Sequence, residues 1–302
     1  MGRRPARDRC ELVKFAATDG VELSGLLYEP ERRTRRAAVF LHGTGGASIF
    51  ESNRTNLLAR ELTSRGIAWL PFNNRGALLV RWLRGARRAK RGGMAHELIR
   101  ECVRDIDGAA SFLRARGYRD LYLIGHSTGA NKIAVYDSIK RRNPYRKYVL
   151  LAGGDDTGMF YRDLGAARFR RTLERARANR SLDDFVPRSI TPMMMSWRAL
   201  YDMMNPDGDY NVFPFLEVMR NIRLGRKPRF RHIHGIRKPS LYVYGDRDEY
   251  CYDDVPACVR ILSDHVGPNA EIVVMEDANH GFNGREGELG AVMGEWLRAS
   301  GG

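Results

Sequence analysis

The sequence predicts an α/β fold: a mostly parallel sheet of eight strands flanked by helices, with a helical segment inserted late in the chain. Three observations carry that expectation. Short apolar runs alternate with segments of helical period along most of the 302 residues, the pattern of parallel strands joined by crossover helices. Gly125-His126-Ser127-Thr128-Gly129 stands between one such run and one such helix. Over 156–238 the alternation lapses into a stretch rich in Arg, Met and aromatic residues, punctuated by Pro187, Pro192, Pro206 and Pro214.

The elements follow in order. Residues 11–30 read as a hairpin, with Leu12, Val13 and Phe15 before Asp19-Gly20 and Val21, Leu23, Leu26 and Leu27 after it. Asp-Gly between apolar runs is a strong hairpin signal. Ala37 to Leu41 is a buried strand that ends in His42-Gly43-Thr44-Gly45-Gly46. A helix is expected from Asn53 to Arg65, stopped by Gly66, because a terminal glycine accepts the left-handed backbone of a helix end. Ile67 to Leu70 is the next strand, leading into Phe72-Asn73-Asn74-Arg75-Gly76. Leu98, Ile99, Val103, Ile106, Ala110 and Leu113 recur at helical spacing and predict one helix over Met94–Arg116, closed by Gly117.

Leu121 to Ile124 is the strand before the pentapeptide, and a helix carries on from it through Ile133 to Arg142. Tyr148–Ala152, Leu241–Tyr244 and Glu271–Met275 supply the last three strands. Helices are expected over Asp254–His265 and Ala291–Arg298. This divides the chain into a core of 1–155 and 239–302 and a helical cap of 156–238.

The pentapeptide has the form G-x-S-x-G. A strand that turns abruptly into a helix holds its serine in a strained conformation and exposes the hydroxyl, and a β-carbon two residues to either side would meet the crossing backbone. Serine is a weak nucleophile without a base, so a histidine and an orienting carboxylate are required later in the chain. His280 lies five residues past the last strand and is the expected base. Asp248, in Gly245-Asp246-Arg247-Asp248, is the favoured acid, because three residues let the chain turn toward the histidine. Asp246, and Asp155 or Asp156 past the preceding strand, are the alternatives. An oxyanion needs two N–H donors; the amides of Thr128 and Thr44 are expected to provide them. Gly43 and its neighbouring glycines would let that loop approach a substrate. His42, Arg75, His126, Met194 and Trp197 are further candidates for substrate contact.

Phe40-Leu41-His42-Gly43-Thr44-Gly45, Phe72 to Gly76, the pentapeptide, Gly245 to Asp248 and Asn279-His280-Gly281-Phe282 fall in an order that resembles the α/β-hydrolase superfamily over nearly the whole chain. Gly-His-Ser-Thr-Gly-Ala-Asn, Glu97 to Asp107, and the Thr-Pro-Met-Met segment resemble a branch that includes esterases of fusarinine-type hydroxamate siderophores. The resemblance implies a serine esterase with Ser127, Asp248 and His280 as triad and Thr44 and Thr128 at the oxyanion. The same residues would equally serve a thioesterase, an amidase or an acyltransferase, and a non-catalytic binding protein with a basic surface is the remaining alternative. No cofactor is implied.

Composition narrows the alternatives. A hydrophobic content of 43% supports a large core, and no apolar run reaches the length of a membrane span. The basic N-terminus lacks the apolar stretch of a secretory leader. Cys10, Cys102, Cys251 and Cys258 show no C-x-x-C spacing, so neither disulfides nor zinc are expected and a cytoplasmic location is. His232 and His234 have no carboxylate close by in sequence and are not read as a metal pair. Gly43 to Gly46 lacks the Lys-Ser/Thr or G-x-G-x-x-G pattern of nucleotide binding. No nucleic-acid module is visible.

The net charge of +15 is concentrated. Residues 75–91 hold seven basic residues and no acidic one, and 157–237 hold sixteen basic and eight acidic, which together account for the whole excess. Ligands of open α/β sheets bind at the carboxyl ends of the strands. Both segments are therefore expected around the mouth above Ser127, where they would favour an anionic small-molecule substrate.

Overall fold

The computed structural model describes residues 9–45, 47–51, 53–85 and 90–299. β1 (Arg9–Ala16) and β2 (Glu22–Glu29) form the expected hairpin, paired antiparallel from Arg9↔Glu29 to Ala16↔Glu22. Val13, Phe15, Leu23 and Leu27 turn inward, while Leu12 points to solvent. Such alternation marks a strand pair with one wet face.

The parallel part begins with β3 (Arg36–Leu41), α1 (Arg54–Ser64) and β4 (Ala68–Asn73). β5 (Arg81–Leu83) and β6 (Lys90–Gly92) then form a small antiparallel ribbon apart from the main sheet. α2 (Cys102–Ala115), β7 (Asp120–His126), α3 (Thr128–Ile139) and β8 (Tyr145–Leu151) follow. α4 (Asp156–Ala178), broken by a kink at Gly165, α5 (Trp197–Met204) and α6 (Phe215–Met219) occupy the stretch before β9 (Ser240–Arg247). α7 (Val255–Ser263), β10 (Ala270–Asn279) and α8 (Glu286–Arg298) close the described chain.

The eight-stranded sheet has the order β1-β2-β4-β3-β7-β8-β9-β10. Only β2 runs against its neighbours. Because both faces are covered, successive residues of β3 are buried on opposite sides. Ala37, Val39 and Leu41 join the core under α2 and α3, whereas Ala38 and Phe40 join the core under α1 and α8. Trp69 of β4 is fully buried in the second core and donates its indole N–H to Thr55 O at 3.1 Å. Burying such a side chain is worth about 2–3 kcal/mol, provided its polar edge is satisfied.

Three expectations about helix limits are corrected. Met94–Arg116 is not one helix: 3-10 turns at Met94–His96 and Ile99–Glu101 precede α2, and Glu97 and Leu98 are extended. The extended step carries the Glu97 carboxylate inward to the buried Lys132 ammonium, 2.6 Å away, and lets Ile99 N–H donate to Asp202 Oδ2 at 2.9 Å. α3 ends at Ile139 rather than continuing to Arg142. α8 starts at Glu286, one turn before its apolar period begins, with Glu286 and Glu288 at the positive end of its dipole.

Candidate active site

β3 and β7 are neighbours from which the chain crosses to opposite halves of the sheet, so their carboxyl ends flank the crevice where such folds bind ligands. Ser127 follows β7 at φ 57° and ψ −128°, a conformation costly for any residue with a side chain. The turn around it explains its glycines. A β-carbon on Gly125 would stand 2.3 Å from Gly129 O, and one on Gly129 would stand 2.2 Å from Leu41 O. Ser127 N–H is fixed by Leu151 O at 2.8 Å, and Ser127 O accepts from Ala130 N–H at 2.8 Å. Thr128 is the first residue of α3, where a backbone N–H has no partner within its own helix.

The loop after β3 lies against this turn. A β-carbon on Gly43 would come within 2.9 Å of Ser127 Cβ and 3.3 Å of Ser127 Oγ. His42 anchors the loop: its Nδ1–H donates to Gly43 O at 2.8 Å. Burial, and then the Lys132 charge, push the His42 pKa down to about 3, so the ring stays neutral. Thr44 follows, its hydroxyl buried without a hydrogen-bond partner, and Gly45 N–H contacts Met94 Sδ at 3.2 Å.

β9 and β10 deliver the remaining groups. His280 Nδ1 stands 2.9 Å from Asp248 Oδ1 and 3.1 Å from Oδ2. A carboxylate only accepts, so Nδ1 carries the proton and Nε2 is left with its lone pair. Asp248 is 2% exposed and also receives Tyr250 N–H at 2.9 Å. Tyr250 places its ring 4.4 Å from the imidazole centre, and His280 N–H donates to Glu249 Oε2 at 3.0 Å. His126 Nε2–H donates to His280 O at 2.7 Å. Burial, then Arg54, hold the His126 pKa well below its ordinary value, which keeps that ring a neutral brace.

The alternative acids have other partners, although Asp155 and Asp156 line the cavity that Ser127 and His280 share. Asp246 Oδ1 accepts from Ala278 N–H at 3.2 Å. Asp155 caps α4 through Gly158 N–H at 2.8 Å and also receives Leu216 N–H and the Tyr252 hydroxyl, each at 2.9 Å. Asp156 accepts from Asn131 Nδ2 at 3.0 Å and from Thr128 Oγ1 at 3.4 Å. Burial, and then Asp155, raise its pKa to about 7.

Ser127, His280, His42, Gly43, Thr44 and His126 line one cavity of about 800 Å³. Met159, Phe160 and Leu164 of α4 give it an apolar wall, together with Met193 and Met203. Arg168 and Arg188 stand on the same lining.

Several expectations fall outside it. Arg75 is buried in an ion cluster, with Nη2 2.7 Å from Asp105 Oδ1 and 3.1 Å from Asp19 Oδ1. Met194 is 40% exposed, and its neighbour Met193 takes the place expected of it. Trp197 is core to the 156–238 stretch, under the Arg175 guanidinium at 5.1 Å. Residues 75–91 contribute nothing described to the cavity wall. Tyr250, Arg54 and the Lys132–Glu97 pair escaped sequence reasoning; only Tyr250, two residues past Asp248, carried any positional signal.

The sequence matches the Alpha/beta hydrolase family over residues 38–290. No curated protein matches it. Similar solved structures include the alpha/beta hydrolase GrgF from Penicillium sp. sh18, with 15% identity, a TM-score of 0.65, and coverage of 96% of this chain and 98% of that one. The Pyrococcus furiosus esterase Pf2001 gives 18%, 0.59, 96% and 91% in the same terms. Est1E from Butyrivibrio proteoclasticus gives 16%, 0.57, 95% and 97%. At these identities the likeness is one of fold.

Proposed function

The chain belongs to the alpha/beta hydrolase family, and on that premise we propose that it is a serine esterase that cleaves carboxylic esters of a small molecule through an acyl-enzyme. One observation carries the reading: the strained Ser127 shares a cavity with a histidine whose far nitrogen is held by a buried carboxylate. In this mechanism His280 Nε2 takes the proton as Ser127 Oγ attacks the ester carbonyl. The amides of Thr128 and Thr44 receive the oxyanion. His280 returns the proton to the leaving alkoxide, then activates water to release the acid. Asp248 keeps the imidazole in the required tautomer. Gly43 gives the loop its close approach, and His42 and His126 hold the two walls in place.

The apolar contribution of α4, Met193 and Met203 to the wall supports reading 156–238 as a cap over the core of 1–155 and 239–302. Arg168 and Arg188 support a substrate that carries an anionic group, set against Glu51, Asp155, Asp156 and Asp163 on the same lining. The Gly-His-Ser-Thr-Gly-Ala-Asn elbow supports including hydroxamate-type esters of the fusarinine class among the substrates tried.

Hydrolysis of short-chain p-nitrophenyl esters by the wild type and Ser127→Ala, with fluorophosphonate labelling alongside, tests the reading. Activity and labelling should vanish together in the variant; turnover that survives would overturn it. Paired neutral and carboxylated esters at low and high salt test the anionic preference, which equal rates would refute.

A further inference from the structure

The described basic residues of 75–91 beyond Arg75 need another account, because none of them lines the hydrolytic cavity. Three of that segment, Trp82, Lys90 and Arg91, help to line a second cavity of about 240 Å³, between the β5–β6 ribbon and the inserted helices. His96 and Arg198 close it from the other side. Three cations thus face one acid, Asp183, whose Oδ1 lies 3.6 Å from Arg198 Nη2. Lys90 is also paired with Glu101, while Arg91 has no ion pair among the described residues.

Two nitrogens in this wall are buried without a hydrogen-bond partner, His96 Nε2 and Arg198 Nε. His96 is only 6% exposed. A buried polar group left unsatisfied costs about 1–3 kcal/mol. A guanidinium can only donate, so Arg91 and Arg198 call for an acceptor in this cavity. Trp82, 65% exposed, leaves a large aromatic surface open beside these cations. An aromatic ring with one free face suits a planar partner.

We propose that this second cavity binds a small organic phosphate. Its phosphoryl oxygens are taken by Arg91, Arg198 and the His96 imidazole, and its planar body lies against Trp82. A phosphate offers more acceptor oxygens than a carboxylate does, which matches donors that converge from three elements, and arginine is well suited to such groups. The site joins the core to the insertion, because His96 ends the 3-10 turn whose Ala95 O accepts Ser196 N–H at 2.7 Å. The assignment is independent of the hydrolytic reading.

Calorimetric titration of the full chain, as Ser127→Ala, with phenyl phosphate, inorganic phosphate and benzoate tests it. Saturable binding is expected in the order phenyl phosphate, inorganic phosphate, benzoate. Arg198→Gln and Arg91→Gln should each weaken phenyl phosphate at least tenfold while melting as the parent does. Trp82→Ala should reduce phenyl phosphate to the affinity of inorganic phosphate and leave the latter unchanged. Arg188→Gln, in the hydrolytic cavity, should alter neither. No saturable binding, binding indifferent to both arginine variants, loss in Arg188→Gln, or benzoate binding as tightly as phenyl phosphate would each overturn the proposal.

Discussion

His280 presents Nδ1 to both carboxylate oxygens of Asp248, at 2.9 and 3.1 Å, and the carboxylate is nearly sealed from solvent. That pairing fixes which imidazole nitrogen can act as a base. Asp248→Asn keeps the shape but can donate where the carboxylate could only accept, favouring the wrong tautomer. Ester turnover should therefore fall by about 10³–10⁴-fold in kcat with little change in KM. Stopped assays on p-nitrophenyl acetate would measure it. A loss under tenfold would remove Asp248 from the role.

Gly43 tests the oxyanion loop apart from the triad. Its missing β-carbon would meet Ser127 Cβ at 2.9 Å, so Gly43→Ala must push the loop away from the serine. The loop lies beyond the carboxyl end of β3 rather than inside the sheet, and folding should survive with a stability loss of about 1–3 kcal/mol. Turnover should fall by about 10²-fold as one N–H donor drifts from the oxyanion. Unchanged turnover in a folded variant would place the second donor elsewhere.

The sheet and the Ser127 turn were legible because each rests on local chemistry: apolar runs of strand length, Asp19-Gly20 at the hairpin, and glycines where the elbow has no room for a β-carbon. Asp248 and His280 were legible for a related reason, since each follows the end of a strand whose place in the sheet was already clear. Side-chain direction was not. Arg75 and Trp197 lie on the expected elements, but Asp105 draws Arg75 inward and the insertion buries Trp197. The helix expected from Met94 broke because Glu97 answers to Lys132, a partner thirty-five residues away that no local period reveals.

Asp156 predicts a pH dependence of stability. Its ordinary pKa of 3.8 is raised to about 7, chiefly by burial. Between about pH 4 and pH 7 the folded protein retains a proton that the unfolded chain has lost. Stability therefore falls as pH rises through that window, and the full penalty applies above it. Asp156→Asn removes the ionisation while keeping an acceptor for Asn131. It should leave stability unchanged near pH 4 and raise it by about 1–2 kcal/mol at pH 8. Urea unfolding at the two pH values would read the difference, and an equal effect at both would assign it to something other than ionisation.

Lys132 and Glu97 form the most deeply buried ion pair described, at 0% and 2% side-chain exposure and 2.6 Å apart. Lys132 lies on α3, five residues past Ser127, so the pair ties the elbow helix to the extended step before α2. Taking two charges out of water is costly, and removing one partner strands the other, a loss of about 3–5 kcal/mol. Lys132→Met and Glu97→Gln should each destabilise by that order. The double variant leaves no stranded charge and should recover most of the loss, giving a coupling energy above about 2 kcal/mol. Denaturant unfolding of the four proteins completes the cycle. Strictly additive losses would mean that the two residues act through separate contacts, and that the elbow helix is held by its packing against the sheet and α2.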